Sequence, residues 1–174
     1  MLRYILMNAW RFPIIKHAWG LPKMSADSFV RNSSDNRPIV LCCGDSITHG
    51  HIGYDWVGAL REKDSSKIYV NAGINGDLAW NLNQRLENAL KCNPDYITIL
   101  IGTNDAMGSQ KIKFIQEYYV TNKGLPQLPS MDWYKKELES MIQYIKSHSN
   151  AKIAISTLPW IGERASDDII SVVK

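Results

Sequence analysis

Residues 39–50, Ile-Val-Leu-Cys-Cys-Gly-Asp-Ser-Ile-Thr-His-Gly, constrain this chain more than any other stretch. Ile39 to Cys43 is an unbroken run of apolar or small side chains with no charge alternating through it. That is the pattern of a parallel strand buried on both faces. Gly44-Asp45-Ser46 ends the run. Glycine permits a sharp turn, and a serine at the carboxyl end of such a strand stands where open α/β sheets place their ligands. Such a serine works as a nucleophile only if a base takes its proton and donors meet the developing oxyanion. The rest of the chain must supply those partners.

Beyond the serine turn, apolar runs and helical spacings alternate. Trp56, Val57 and Leu60 share a face of a helix predicted over Tyr54 to Glu62. Lys67 to Ala72 reads as a second strand, followed by Gly73-Ile-Asn-Gly76-Asp77. Leu78, Leu82, Leu86 and Ala89 or Leu90 recur at the spacing of one amphipathic helix. Tyr96 to Ile101 is a third strand, apolar except for Thr98, and it ends at Gly102-Thr103-Asn104-Asp105. Residues 106–130 are less regular, broken by Gly108, Gly124, Pro126 and Pro129. They read either as a lid or substrate wall above the third strand or as an ordinary surface insertion. Ser130 caps a helix whose inward face is Tyr134, Leu138, Met141, Ile142 and Ile145. Ala151 to Ser156 is a fourth strand, and Ala165 to Val173 has the spacing of a further helix. Strands alternating with helices and reading as apolar runs specify an α/β domain with a parallel sheet.

At 174 residues the chain has one domain's worth of sequence, with 45% hydrophobic and 21% charged residues, which marks it as globular. A net charge of +3 with no basic tract of five or more excludes a nucleic-acid-binding profile. Three cysteines, two of them inside the first strand, give neither a disulfide framework nor a zinc spacing. A reducing, cytoplasmic setting fits them, with secretion left open. Met1 to Ile15 is rich in Leu, Ile and Trp, but Asn8, Arg11 and Pro13 make it too short and broken to span a membrane. The expected division is an N-terminal extension and linker over 1–37, its Ser/Asn/Asp-rich part beginning near residue 25, and a single α/β domain over 38–174. The sequence carries no sign of oligomeric state beyond the tendency of an exposed sheet edge to self-associate.

The three strand ends, Gly-Asp-Ser, Gly-x-Asn-Gly-Asp and Gly-Thr-Asn-Asp, belong on one edge of the sheet. Ser46 offers a hydroxyl and, at the start of the following helix, a backbone N–H with a helix dipole behind it. Gly76 offers a second backbone N–H with no side chain to block an approaching carbonyl, and Asn104 a side-chain amide donor. Three donors around one serine make an oxyanion hole, commonly the largest contribution to acyl transfer. Asp45 and Asp105 read as braces that hydrogen-bond local backbone. Gly44-Asp45-Ser46, Asn71-Ala-Gly-Ile-Asn-Gly76-Asp77 and Gly102-Thr103-Asn104-Asp105 resemble, in order and spacing, blocks I, II and III of the SGNH (GDSL-type) hydrolase family over roughly residues 38 to 162. The resemblance implies a flavodoxin-like α/β/α sandwich with a parallel sheet and a serine esterase that needs no metal or other cofactor. It implies Ser46 as nucleophile, with Ser46 N–H, Gly76 N–H and Asn104 as oxyanion donors. Its substrates would be lysophospholipids, acyl thioesters, short acyl esters or acetylated sugars.

The sequence departs from that family in one respect. A fourth block, Asp-x-x-His, supplies the family's general base and its orienting aspartate, but no Asp in this chain has His three positions on. The expectation is a domain incomplete at its C-terminus. Among the histidines, His17 lies in the extension and His148 precedes the fourth strand, at the far edge from Ser46. His49 and His51 are close to Ser46 in sequence and either bend back to it as bases, line the pocket or face solvent. Two other readings remain: a non-catalytic remnant that binds acyl, sugar or protein partners in the same cleft, and a flavodoxin-like nucleotide binder. The second lacks both glycine-rich phosphate-binding motifs. Trp80, Met107, Tyr118, Tyr119 and Trp160 are candidates for an apolar acyl pocket, and equally for core.

Overall fold

Four strands, β1 (Ile39–Gly44), β2 (Ile68–Gly73), β3 (Tyr96–Leu100) and β4 (Lys152–Ile155), form one parallel sheet in the order β2-β1-β3-β4. The computed structural model describes residues 21–51, 53–110 and 112–159. Residues 1–20 with His17, Trp160 and the helix expected over 165–173 lie outside the described residues. The order explains where a site can form. From β1 the chain moves to one side for β2, then returns across β1 to place β3 on its other side. The winding direction therefore reverses between β1 and β3, the kind of position at which open parallel sheets place their ligands.

Burial follows the sequence pattern. Every residue of β1 and β2 is buried, as expected for apolar runs with covered faces. On one face Leu41, Val70, Ile97 and Ile99 pack with Leu82 and Leu86 and with Met141 and Ile145. The opposite face pairs Val40, Cys42 and Tyr69 with Val57, Trp56 and Leu60. Helices on both faces make the three-layer α/β/α arrangement expected from the sequence.

The helices that matter for the site are short. The first, α1, covers only Ser46–His49, because Gly50 takes a left-handed conformation at φ 78° and sends its N–H back to Ser46 O. Ser46 stands at the start of this helix, as expected, and the dipole behind it is that of a single turn. α2 (Trp56–Lys63) is capped by the Asp55 carboxylate, which accepts from Gly58 N at 2.8 Å.

The amphipathic run after Asp77 forms two helices rather than one, α3 (Ala79–Gln84) and α4 (Leu86–Leu90). They meet at Arg85, whose guanidinium is drawn to Asp77 and to Gly44 O rather than to solvent. The apolar spacing persists across the break, which is why periodicity alone reads it as continuous. α5 (Thr103–Gly108), α6 (Lys113–Lys123) and α7 (Met131–His148) complete the described helices. Ser130 Oγ accepts from Trp133 N at 3.2 Å, the cap predicted for α7. The irregular stretch 106–130 thus contains α6, whose Tyr119 packs with Leu125, just beyond the helix, onto Leu78, with Trp80, Ile115 and Trp133 around them. Residue 25, at the head of the expected linker, forms a parallel bridge to Asn71 on the free edge of β2.

Candidate active site

The site is assembled by the turns that follow β1, β2 and β3. Ser46 is the first residue of α1 and is half-buried. Its neighbour Asp45 is buried, and Asp45 Oδ1 accepts from Ile47 N at 3.0 Å, closing the turn that presents the serine. Burial pushes the Asp45 carboxyl up to about 6; the charge of Asp77 adds to this and the Ile47 N–H opposes it.

The β2 turn holds Gly76 at φ +74°, a left-handed conformation that costs a glycine little. A Cβ there would come no closer than 3.6 Å to Lys123 Cδ, so backbone geometry rather than crowding calls for glycine. Next to it Asp77 is buried between two cations: Arg85 Nε at 2.8 Å and Lys123 Nζ at 2.7 Å. Lys123 also donates to Asn75 O at 2.9 Å, and Arg85 reaches Gly44 O at 3.2 Å. The turns after β1 and β2 are therefore stitched together through one carboxylate, by residues to which the sequence alone gave no role.

Asn104, in the first turn of α5, joins the third turn to the other two. Its Nδ2 donates to Asp77 O at 3.0 Å and meets Asp45 Oδ2 at 3.4 Å. The second distance exceeds the usual 2.7–3.2 Å of a strong N–H···O bond, so one amide hydrogen is only lightly engaged. Asn104 Oδ1 accepts from the Tyr119 hydroxyl at 2.8 Å. Asp105 does not brace its own turn alone. Its two oxygens lie 3.3 and 3.1 Å from Ala79 N, at the start of α3, so it ties the β3 turn to the β2 turn. Burial, reinforced by the charges of Asp45 and Glu137, pushes its carboxyl up to about 7, against the pull of the Ala79 N–H.

Asn71 contributes from within β2. Its Nδ2 donates to Thr48 O at 2.8 Å and its Oδ1 accepts from Gly73 N at 2.8 Å, fixing α1 against the sheet. The signal was present as a lone amide in an otherwise apolar strand, a buried polar group that must find partners.

The histidines are dispersed. His49 is buried in the last turn of α1 with its backbone N–H on Asp45 O, and its ring makes an edge contact with the exposed His51 ring at 5.9 Å. His148 stacks on Tyr144 at 4.0 Å at the end of α7, before β4 and so at the opposite edge of the sheet. Of the residues considered for an acyl pocket, Trp80 packs against Trp133 and Tyr119 is buried, while Met107 and Tyr118 are exposed. Burial pushes the thiols of Cys42 and Cys92 up to about 11 and that of Cys43 up to about 12, and all three are buried, the environment of inert structural cysteines. Among the described residues no group of three or more His, Cys, Asp or Glu is placed to hold a metal ion, and no helix is long and apolar enough to cross a membrane.

Comparison with known proteins finds the same fold. The acetylxylan esterase Axe2 from Geobacillus stearothermophilus is 23% identical and superposes with a TM-score of 0.61 over 78% of this chain and 66% of its own. Mutants of Axe2 described as catalytic alter a serine, an aspartate and a histidine, the last two lying three positions apart. A G-D-S-L-family protein from Desulfitobacterium hafniense DCB-2 is 20% identical, with a TM-score of 0.56 over 78% of this chain and 67% of its own. The acetyl xylan esterase AlAXEase is 23% identical, with a TM-score of 0.56 over 78% and 68%. The chain thus spans about two thirds of the length of these structures. No curated protein matched it. The model of the GDSL-like lipase/acylhydrolase family matches residues 42–169, which include all three strand-end turns, and the chain belongs to that family.

Proposed function

We propose that this chain is a serine ester hydrolase in which Ser46 carries the acyl group. Ser46 Oγ adds to the ester carbonyl carbon while its proton passes to a base. The carbonyl electrons move onto oxygen, and that oxyanion takes N–H bonds from Ser46, Gly76 and Asn104 Nδ2. Collapse breaks the acyl–alkoxy bond, the alcohol leaves with the proton, and water releases the acid by the same steps. Asp45 and Asp105 act as braces for the turns and not as reacting groups. The observation that supports this reading best is the Asn104 amide, held at 3.0 Å on Asp77 O beside Gly76 with its second hydrogen lightly engaged.

For substrate we propose a short acyl ester, an acetylated sugar among the candidates by analogy with the acetylxylan esterases of similar fold. Lysophospholipids and thioesters are further members of the same acyl class. The base is the weak point of the site. No Asp of this sequence has His three positions on, and loss of a triad member in serine hydrolases lowers turnover by several powers of ten. We therefore propose slow turnover by this chain. The same observation favours a second reading, a cleft that binds acyl or sugar ligands without turning them over.

Hydrolysis of p-nitrophenyl acetate and butyrate by the chain and by Ser46→Ala, with and without added imidazole, separates the two. The esterase reading expects turnover above the Ser46→Ala background, rising when imidazole supplies a base. Identical rates for both proteins at every imidazole concentration would refute it and leave ligand binding.

A further inference from the structure

Helix α6 is the middle of an excursion that the sheet does not need, yet it reaches the reacting edge twice. Lys123 at its C-terminal end grips Asp77 and Asn75 O on either side of Gly76. Four residues earlier, one helical turn away, Tyr119 directs its hydroxyl to Asn104 Oδ1 at 2.8 Å. The Tyr119 ring is buried against Leu78 and Leu125, so the hydroxyl arrives on a fixed lever and not on a mobile side chain.

The chemistry of that contact is directional. Asp77 O can only accept, so Nδ2 of Asn104 must face it and Oδ1 must face Tyr119. An amide oxygen can only accept, so the tyrosine must be the donor. Burial raises the phenol well above its ordinary range, which keeps it protonated, and a donor, at neutral pH. A donor on Oδ1 also polarises the amide and strengthens its N–H groups toward an acceptor on the other side.

We propose that Tyr119 is a positioning residue for the oxyanion hole, whose hydroxyl fixes and polarises the Asn104 amide so that Nδ2 is held ready beside Ser46 and Gly76. The inference rests on the esterase reading for its kinetic consequence, but the geometry it asserts stands apart from turnover. α6 is then a structural part of the oxyanion site as well as a covering helix. Tyr119 touches no reacting atom.

The test is Tyr119→Phe in the full chain, which keeps the buried ring and deletes one oxygen. Kinetics on p-nitrophenyl acetate are measured in the native background and in Asn104→Ala, together with 1H–15N spectra of the side-chain amides. Removing a neutral hydrogen bond is worth about a factor of ten, below the roughly 10²–10³ of deleting an oxyanion donor outright. The expected result is a loss of about tenfold in kcat with KM within about twofold. No further loss should appear in Asn104→Ala, because the tyrosine acts through that amide. Equal losses in both backgrounds, a loss carried by KM, or no loss would overturn the inference. If the native chain shows no Ser46-dependent turnover, the esterase reading fails, and the spectra still decide the positioning role. The side-chain amide pair missing from Asn104→Ala must move in Tyr119→Phe. A pair that stays in place overturns it.

Discussion

Asn71→Ala is the perturbation whose magnitude follows most directly from the structure. The Asn71 side chain is 1% exposed and makes two bonds of 2.8 Å, giving to Thr48 O and taking from Gly73 N. Truncation leaves a buried carbonyl and a buried N–H without their partner, at about 1–3 kcal/mol for each orphaned group. The sum is roughly 2–6 kcal/mol, a large share of a typical domain's stability of about 5–15 kcal/mol. For a chain of this size that corresponds to a fall in Tm of about 4–24 °C. Urea unfolding should show a lower midpoint with an unchanged slope, since little surface exposed on unfolding is altered. Asn71→Asp sharpens the test. It keeps the acceptor for Gly73 N but sets an anionic oxygen against Thr48 O. At neutral pH it should be less stable than the alanine variant, and it should gain on it as acid protonates the carboxyl into a donor. A loss of under about 1 kcal/mol in Asn71→Ala would refute the reasoning, showing that water replaces the amide at little cost.

Other predictions follow from the same geometry. A Cβ on Gly73 would lie 2.2 Å from His49 N and 2.6 Å from Thr48 C, both backbone atoms, so Gly73→Ala must push α1 off β2. Gly76→Ala has room and meets only the strain of φ +74°, about 1–2 kcal/mol. Gly73→Ala should therefore have the lower urea midpoint, and the reverse order would refute the packing account. For pH, the raised carboxyls of Asp45 and Asp105 hold protons in the folded state that the unfolded chain releases near 3.8. Their contribution is present below that value and is lost as pH rises toward about 6 and about 7 respectively. Asp105→Asn retains an acceptor for Ala79 N but cannot ionise. Between pH 4 and 8 its stability should decline less than that of the native chain in urea titrations, and parallel curves would contradict the assignment.

Much of the architecture was legible because it depends on local pattern. Apolar runs such as Ile39–Cys43 have the period and length of buried strands, and glycine followed by polar residues marks where they end. The continuous helix expected over 78–90 was misread for a physical reason. Its apolar stripe survives the break, while Arg85, where the two helices meet, turns its side chain to Asp77, eight residues back, and to Gly44 O at the end of β1, partners that periodicity does not reveal.

The site divides along the same line. The sequence expects Ser46, Gly76 and Asn104 just past strand ends, and they lie in the turns after β1, β2 and β3, because parallel strands deliver their ends to one edge. What sequence by itself determined was therefore which chemical groups arrive at that edge. Only the tertiary structure decided how they are held: Asn71 on Thr48, Lys123 and Arg85 on Asp77, Asp105 on Ala79, and Tyr119 on Asn104. Most of these contacts join residues far apart in the chain, through side chains that a periodic pattern assigns no partner. Their direction is set by which buried donors and acceptors remain unsatisfied once the strands and helices have packed.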